Sequence, residues 1–260
     1  MLVDSHCHLN MLDLENYGGE LSTVIETAKR AGVEYILCVG VDLETAQEVL
    51  DIAVRFDNVW ASVGLHPSHK TAHEPSEKDY LALAKHPKVV AIGETGLDYY
   101  YNKENLEEMR QRFRTQIRAA RKANKPLIIH TRDARDDTLQ IMQQEQASEV
   151  RGVMHCFTES WEMAEKAMAL GFYISFSGIV TFGNAKNVVS VAEKVPLDRL
   201  LIETDSPYLT PVPFRGKPNG PQYVRYVADR IAELKAMDFS LVASQTTANF
   251  FQLFRDAKPL

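Results

Sequence analysis

The feature that most constrains the fold of this chain is a regular alternation of short apolar runs with longer amphipathic stretches. Eight runs rich in β-branched residues span residues 2–6, 35–40, 59–64, 89–94, 126–130, 152–155, 172–177 and 200–205. They are almost continuously apolar, as is typical of parallel strands that are buried on both faces. Helices are predicted between them over residues 20–31, 43–56, 77–85, 106–123, 134–145, 160–170 and 184–194.

This order of elements predicts an α/β chain folded as a (β/α)8 TIM-type barrel, with a doubly wound open sheet as the less favoured alternative. A proline-rich loop at residues 207–221 and two further predicted helices, at 222–235 and 240–254, follow the eighth run. No low-complexity segment or flexible linker interrupts the 260 residues. We therefore expect a single barrel domain over residues 1–260.

The composition limits the binding partners and the cellular compartment that we expect for this chain. The formal net charge of −6 argues against strong non-specific attraction to nucleic acid or to anionic membranes. The apolar runs are far shorter than a membrane span, and no signal-peptide pattern is evident. The three scattered cysteines, Cys7, Cys38 and Cys156, are too few for a disulfide framework. We expect a cytoplasmic protein with no membrane association and no obligate protein partner.

Side chains that bind metals recur at the carboxyl ends of the predicted strands. In a barrel these ends form one face, where active sites lie, so residues far apart in sequence meet there. Each residue alone has an ordinary alternative, because histidines are often solvated or hydrogen-bonded in a core, and acids after strands often cap helices. Their joint placement on one face favours a metal site. The candidates are His6, His8, His66, Glu94, His130, His155 and Asp205.

The spacing divides these candidates between two cations. His6 and His8 are two positions apart on one strand, so they point to the same face and can bind one cation. His130 and His155 come from neighbouring strands and can bind a second, and Glu94 lies between the two pairs and can bridge both cations. Four histidines and two carboxylates suit Zn²⁺ or Mn²⁺ well and Mg²⁺ less naturally. The predicted ligands are His6, His8, Glu94, His130, His155 and Asp205.

Three of these candidates, together with Glu203 on the eighth predicted strand, are predicted to take part in catalysis. Asp205 ends the eighth predicted strand, beside the first, so it can complete the first metal site and accept the proton of an attacking water. Glu94 holds the cations that are expected to activate this water and to polarise the scissile group. Glu203 shares a strand face with Asp205 and can handle protons or support the site, with a structural salt bridge as the alternative. His66 can contact the scissile phosphate or the leaving group.

Seven segments together resemble a known family. They read VDSHCHLN, SVGLHP, VAIGETGLDYY, KPLIIHTRDA, VMHCFT, GFYISFSG and LLIETDSPYLTP. In this order, from residue 2 to about residue 250, they resemble the TatD-type metal-dependent hydrolases, the TatD DNase family of amidohydrolase-like barrels. They look closest to its bacterial YcfH branch. The resemblance implies a TIM-type barrel with two divalent metal ions (Mg²⁺, Mn²⁺ or Zn²⁺), and the family's ligand pattern falls on the six ligands named above.

The resemblance also implies phosphodiester hydrolysis by a metal-activated water, in the form of a deoxyribonuclease or 3′-to-5′ exonuclease. Single-stranded DNA or RNA would then be the substrate partner. The alternative is a metal-dependent hydrolase of an ester or amide, such as an aminoacyl-tRNA ester or a small lactone. A non-enzymatic metal-binding protein is a third possibility. The sequence leaves open the working metal and the choice between DNA and RNA.

A nuclease also needs groups that contact phosphates and bases. Arg132 and Arg135 follow the fifth predicted strand and Arg215 lies in the loop after the eighth, and guanidinium groups bind phosphate in a bidentate manner. His66 lies at the mouth of the third strand, and Tyr99 follows the fourth and can stack on an unpaired base. The alternatives are that the first two arginines pair with nearby aspartates on a helix surface and that the tyrosine packs in the core.

Overall fold

A computed structural model of the chain describes residues 1–101 and 103–259. In this part of the chain eight strands form one sheet, and each pairs in parallel with its neighbour in sequence, in the order β1 to β8. With the intervening helices, this confirms the predicted (β/α)8 barrel. The strands are β1 Leu2–Cys7, β2 Val33–Cys38, β3 Val59–Val63, β4 Val89–Asp98, β5 Leu127–Arg132, β6 Gly152–Met154, β7 Phe172–Phe176 and β8 Leu200–Ile202.

The first and last strands meet at a seam that closes the barrel. The backbone N–H of Asp205 donates to the carbonyl oxygen of His6 at 2.9 Å, and the N–H of His8 donates to the carbonyl oxygen of Ser206 at 2.8 Å. These bonds hold the end of β1 against the segment that follows β8. Three of the predicted metal ligands are therefore carried by adjacent backbone.

The α-helices lie outside the barrel, and each turns an apolar stripe toward the strands. In α4, for example, Met109, Phe113, Ile117 and Ala120 are buried at spacings of three or four residues. Within residues 1–101 and 103–259, no helix is both long and apolar enough to cross a membrane. The helices are α1 Leu21–Arg30, α2 Ala46–Arg55, α3 Glu77–Ala84, α4 Leu106–Ala123, α5 Arg135–Gln144, α6 Trp161–Ala169, α7 Lys186–Lys194, α8 Val224–Lys235 and α9 Phe239–Leu253.

The apolar core has two layers. The outer layer lies between the strands and the helices and contains Cys7 of β1 together with Val24 of α1 and Val49 of α2. The inner layer fills the barrel, and Phe250 of α9 and the following Phe254 close it at the amino-terminal ends of the strands. The polar candidates therefore lie at the opposite, carboxyl-terminal end of the barrel.

The largest differences from the predicted strand ends are at β4, which ends four residues later than predicted, and at β8, which ends three residues earlier. β4 continues beyond residue 94 to Asp98, because its register with β5 shifts between Ile92 and Thr95 and the pairing then resumes. β8 ends at Ile202, so Asp205 lies in the turn after the strand, with a positive φ of 55°.

Candidate metal centre and active-site cavity

Glu94 is the centre of the candidate site. Its side chain is almost fully buried, and its two carboxylate oxygens face different histidines. Oε2 lies 3.3 Å from His6 Nε2 and 3.9 Å from His8 Nε2. Oε1 lies 2.9 Å from His155 Nε2 and 3.2 Å from His130 Nδ1. One carboxylate therefore faces two pairs of imidazole nitrogens, as a ligand shared by two cations must.

The first cluster of donor atoms lies at the seam between β1 and β8. The Nε2 atoms of His6 and His8 are 3.3 Å apart. Asp205 Oδ1 lies 3.6 Å from His6 Nε2 and 3.4 Å from His8 Nε2. Together with Glu94 Oε2, these atoms form the four-donor set that a tetrahedral cation needs.

Two of the histidines are oriented by a partner on the ring nitrogen that faces away from Glu94. His8 Nδ1 donates to the carbonyl oxygen of Val39 at 2.9 Å. His155 Nδ1 lies 3.2 Å from Oε1 of the fully buried Glu203, which accepts a further bond from the Ser175 hydroxyl at 2.6 Å through Oε2. Such partners fix the tautomer that leaves a lone pair pointing at a metal. Glu203 thus acts on the site through His155 and does not line the cavity.

Asp98 provides a third orienting contact. It acts on the second cluster of donor atoms, which consists of His130 Nδ1, His155 Nε2 and Glu94 Oε1. Asp98 Oδ2 lies 3.2 Å from His130 Nε2, which leaves His130 Nδ1 to face Glu94. The other oxygen of the same carboxylate, Oδ1, accepts the backbone N–H groups of Tyr100 at 2.9 Å and Tyr101 at 3.0 Å. Asp98 therefore links a predicted metal ligand to the turn that carries two tyrosines.

The residues present fit divalent cations. His6 Nδ1 is buried without a hydrogen-bond partner in the described part of the chain, and the His6 ring stacks on His155 at 3.8 Å. Burial and the neighbouring His155 lower the pKa of His6 and favour the neutral ring that can bind a metal.

The carboxylates around His155 favour positive charge at this site. Burial opposes a charge on His155, but Glu94 and Glu203 outweigh it and raise the pKa of His155 well above its usual value. Imidazole and carboxylate donors suit Zn²⁺ or Mn²⁺, and bound cations would acidify water and polarise a phosphoryl or carbonyl oxygen.

Neighbouring histidines keep the Glu94 side chain in its negatively charged form. Burial by itself would raise the pKa of this carboxyl, but His155 and His66, together with a hydrogen bond from His130, hold the pKa well below its usual range. The carboxylate is therefore ionised at neutral pH, which a bridging ligand requires.

His66 lies beside the second cluster in a tautomer unsuited to a metal ligand. The Ser68 N–H donates to His66 Nδ1 at 3.1 Å, so the ring proton is on Nε2. Nε2 faces Glu94 Oε1 at 3.3 Å. His66 therefore presents an N–H donor to the cavity, where an oxygen of a bound substrate can accept it.

An open cavity of about 680 Å³ lies over both clusters. We call it the active-site cavity. Its lining combines His66, Glu94 and Asp205 with the exposed rings of Tyr101 and Tyr208, which are 67% and 56% exposed. A cavity of this size and mixed lining is suited to a small organic ligand or one unit of a polymer.

Of the predicted arginines, Arg132 alone lines the active-site cavity within the described residues. Arg135 donates to Glu159 Oε2 at 2.8 Å, so its guanidinium is held by an ion pair beside α5. The Arg215 guanidinium stacks over the Phe182 ring at 4.3 Å and lies outside the cavity lining.

Tyr99 also lies outside the cavity. Its hydroxyl is 2.5 Å from Asp137 Oδ2, and its ring packs against the outer core layer. The tyrosines that line the cavity are Tyr101, two residues further on, and Tyr208. Sequence reasoning missed Tyr208, although its place three residues after Asp205 in the proline-rich loop was a usable signal.

The whole chain is similar to proteins of known family. It matches the family model described as TatD related DNase over residues 3–255. The metal-dependent hydrolase YabD of Bacillus subtilis is 48% identical over 98% of this chain and 99% of its own length. YcfH of Escherichia coli K12, also described as a metal-dependent hydrolase, is 48% identical over 97% of this chain and 95% of its own length.

One relative carries a specific activity in its name. The 3′-5′ ssDNA/RNA exonuclease TatD of Salmonella typhimurium is 32% identical over 94% of this chain and 96% of its own length. Among solved structures, that of YJJV, a TatD homologue from Escherichia coli K12, superposes with a TM-score of 0.89 at 28% identity and covers 98% of both chains. These likenesses therefore extend over the barrel as a whole.

Proposed function

The chain belongs to the TatD-related DNase family of metal-dependent hydrolases, and from this premise we propose that it is an exonuclease that hydrolyses phosphodiester bonds from the 3′ end of single-stranded DNA or RNA. Support for the substrate comes from the Salmonella relative, whose name states that activity. We propose two divalent cations, Mg²⁺, Mn²⁺ or Zn²⁺, as its cofactor.

The observation that carries the proposal is the position of Glu94. Its two oxygens face His6 and His8 on one side and His130 and His155 on the other, at 2.9–3.9 Å, beneath an open cavity. Two cations held a few ångströms apart stabilise both the attacking and the leaving oxygens of an in-line displacement at phosphorus. Phosphodiester hydrolysis is the chemistry that uses such a pair most directly.

The chain's own groups supply the remaining roles. Asp205 has an ionised carboxylate in the cavity, because His8 and His6 outweigh the effect of burial and lower its pKa, so it can accept the proton of the attacking water. His66 Nε2–H is placed to donate to a non-bridging phosphate oxygen or to the leaving oxygen. Arg132 is the cavity-lining cation for a second phosphate contact.

The test is a cleavage assay on oligonucleotides labelled at the 3′ or the 5′ end. Protein stripped with a chelator should leave them intact, and addition of Mg²⁺, Mn²⁺ or Zn²⁺ should restore release of mononucleotides from the 3′ end. A duplex of the same sequence should be cleaved more slowly. Metal-loaded protein that leaves every oligonucleotide intact but hydrolyses an aminoacyl-tRNA ester or a lactone would show that the nuclease proposal is wrong.

Glu94→Gln tests the shared ligand separately. The amide keeps the size of the side chain but loses the charge and one acceptor, so metal content measured by mass spectrometry should fall from two ions per chain to one or fewer. Activity should fall at least about 100-fold, because both clusters lose a ligand. Glu165→Gln, on the exposed face of α6, is the matched control. Two tightly bound ions in Glu94→Gln would exclude the bridging role.

We also propose that the protein works in the cytoplasm. Cys7 and Cys38 are directly opposite on neighbouring strands, both are buried, and both are free thiols. Buried, unpaired cysteines of this kind are typical of proteins in reducing compartments.

A further inference from the structure

A second hollow of about 740 Å³ adjoins the active-site cavity. The two share three lining residues, Ser68, His69 and Tyr101, so they form one continuous depression with the Tyr101 ring between its halves. None of the residues predicted to bind metal lines this second hollow, and the phosphodiester chemistry proposed above does not use it. We call it the outer hollow.

The ridge between the two halves is an exposed stack of aromatic and guanidinium groups. The Arg132 guanidinium lies 3.9 Å from the centre of the Tyr100 ring and 4.8 Å from that of Tyr101. The two rings meet edge to face at 4.9 Å and are 52% and 67% exposed. Asp98 holds the backbone of both tyrosines and also contacts the ring of His130, so the ridge is fixed relative to the metal centre.

Free cations face the outer hollow. Lys70 and Lys103 line it, and neither has an ion-pair partner in the described part of the chain. Arg112 also lines it, but its guanidinium is committed to the carboxylate of Glu74 and to the carbonyl oxygens of the segment around His69. Arg112 therefore shapes the wall, whereas the two lysines remain available to a ligand.

Two acids moderate this charge. Glu104 and Glu108 also line the outer hollow, so two negative side chains offset the positive charges of Lys70 and Lys103. Attraction of an anion by net charge alone is therefore weak, and the exposed rings must supply most of the recognition. Ligands that combine a flat unsaturated ring with a phosphate satisfy both the ridge and the lysines.

We propose that the outer hollow binds the nucleotide next to the one whose phosphate lies at the metal centre. Its unpaired base stacks on the Tyr100–Tyr101 ridge, and Lys70 and Lys103 contact its phosphate. Stacking on aromatic side chains accepts any base, and a paired base cannot reach the ridge, so the hollow selects single strands of at least two nucleotides without selecting sequence. This inference rests on the proposed nuclease function and adds the second subsite.

Kinetics with substrates of increasing length test the subsite. The substrates are thymidine 5′-(methyl phosphate), which has an alkoxide leaving group but no second base, and oligothymidylates of two and three nucleotides. We expect kcat/KM to rise at least about tenfold from the ester to the trinucleotide. The double variant Lys70→Ala/Lys103→Ala should remove most of that gain, chiefly through KM, and Lys29→Ala on the exposed face of α1 should retain it.

The ridge is tested by a binding signal that needs no turnover. The probe is an oligonucleotide with 2-aminopurine next to its 3′-terminal nucleotide. It is titrated with protein in the presence of a chelator, which prevents cleavage, and stacking on the ridge should quench the fluorescence of the 2-aminopurine. Tyr101→Phe should retain the quenching and Tyr101→Ala should lose it. The protein could cleave all substrates with a kcat/KM that does not rise with length, and without quenching the fluorescence. That result would contradict the outer subsite but would agree with the nuclease function. Quenching without cleavage of any phosphodiester would instead contradict the proposed function.

Discussion

At the candidate metal centre, His8 and His155 are each held on the ring nitrogen that faces away from Glu94 by a group that does not line the active-site cavity. His155 Nδ1 contacts the Glu203 carboxylate. This carboxylate also accepts hydrogen bonds from the backbone N–H of Cys156 at 2.6 Å and from the hydroxyl of Ser175. Three donors thus converge on one buried carboxylate. We therefore expect its negative charge to make the His155 ring a stronger metal ligand and its contact to hold the ring in one orientation.

Variants of Glu203 separate these two effects. Glu203→Gln can keep the contacts with His155 and Ser175 but removes the charge, so metal affinity should fall about tenfold. Glu203→Ala also leaves buried donors unpaired, and affinity should fall about 100-fold. Competition with a chromophoric chelator measures both values. If both variants lose thermal stability but bind metal as tightly as the unmodified chain, Glu203 is structural and does not position His155.

The limits of sequence reasoning are clearest for single residues. His6 and His8 could be predicted as a pair because the period of two along a strand places both on one face. Which of three consecutive tyrosines faces the cavity could not, since it depends on where β4 ends. β4 continues to Asp98, the chain turns there, and Tyr99 is directed to Asp137 while Tyr101 is left at the cavity.

At the scale of elements, β4 shows how a strand can carry a ligand and still pair tightly with its neighbour. Gly96 has a positive φ of 133°, and a Cβ atom there would lie 1.9 Å from the carbonyl oxygen of His130 on β5. The absence of a side chain lets β4 and β5 approach each other just beyond Glu94. The glycine therefore helps to set the distance between the Glu94 carboxylate and His130.

We accordingly expect Gly96→Ala to destabilise the barrel by about 2–4 kcal/mol, through backbone strain and a clash with fixed backbone on β5. Thermal unfolding in the presence and absence of metal measures the loss. Gly183→Ala is the matched control, because nothing lies within 4 Å of its added Cβ atom and its φ is ordinary, so it should change stability little. Equal stability of the two variants would mean that β4 and β5 can separate without cost.

The existence and order of the strands were predictable from the sequence, whereas some of their ends were not. An apolar run in the sequence indicates which residues are buried. The buried segment can extend beyond the last residue that pairs with the neighbouring strand. The run at 200–205 remains buried as far as Thr204, although β8 ends at Ile202. Asp205 nevertheless reaches the first cluster, because its backbone N–H is bonded to His6 across the seam.

For the molecule as a whole, the seam between β1 and β8 both closes the barrel and brings together residues of the candidate metal centre. Beside the backbone bonds of β1, the fully buried carboxyl group of Asp4 accepts the Thr204 N–H at 2.9 Å through Oδ1, and its Oδ2 lies 2.5 Å from the Thr204 hydroxyl. The Thr204 hydroxyl in turn donates to Ser206 at 3.0 Å. A buried acid thus joins the first strand of the barrel to the segment after the last, next to two predicted ligands.

Two substitutions of Asp4 test this connection. Asp4→Ala leaves the Thr204 N–H unpaired in the core, and the free energy of unfolding should fall by about 1–3 kcal/mol. Asp4→Asn retains an acceptor for that N–H and places an NH₂ group against the Thr204 hydroxyl, so it should unfold cooperatively and bind metal. Denaturant titrations of the metal-free proteins measure both, and equal stability of the alanine variant and the unmodified chain would show that the seam closes without Asp4.

The difference between the asparagine variant and the unmodified chain should also depend on pH. Burial raises the pKa of Asp4 to about 8, against the hydrogen bonds from Thr204 and the His6 N–H, which lower it. The folded chain therefore keeps a proton that the unfolded chain releases near pH 3.8, and the unmodified chain loses stability relative to Asp4→Asn as the pH rises from about 4 to about 8. The slope should approach about 1.4 kcal/mol per pH unit and level off above pH 8. A stability difference that stays constant between pH 5 and 8 would mean that Asp4 is already ionised in the folded barrel, with Thr204 binding a carboxylate instead of a carboxylic acid.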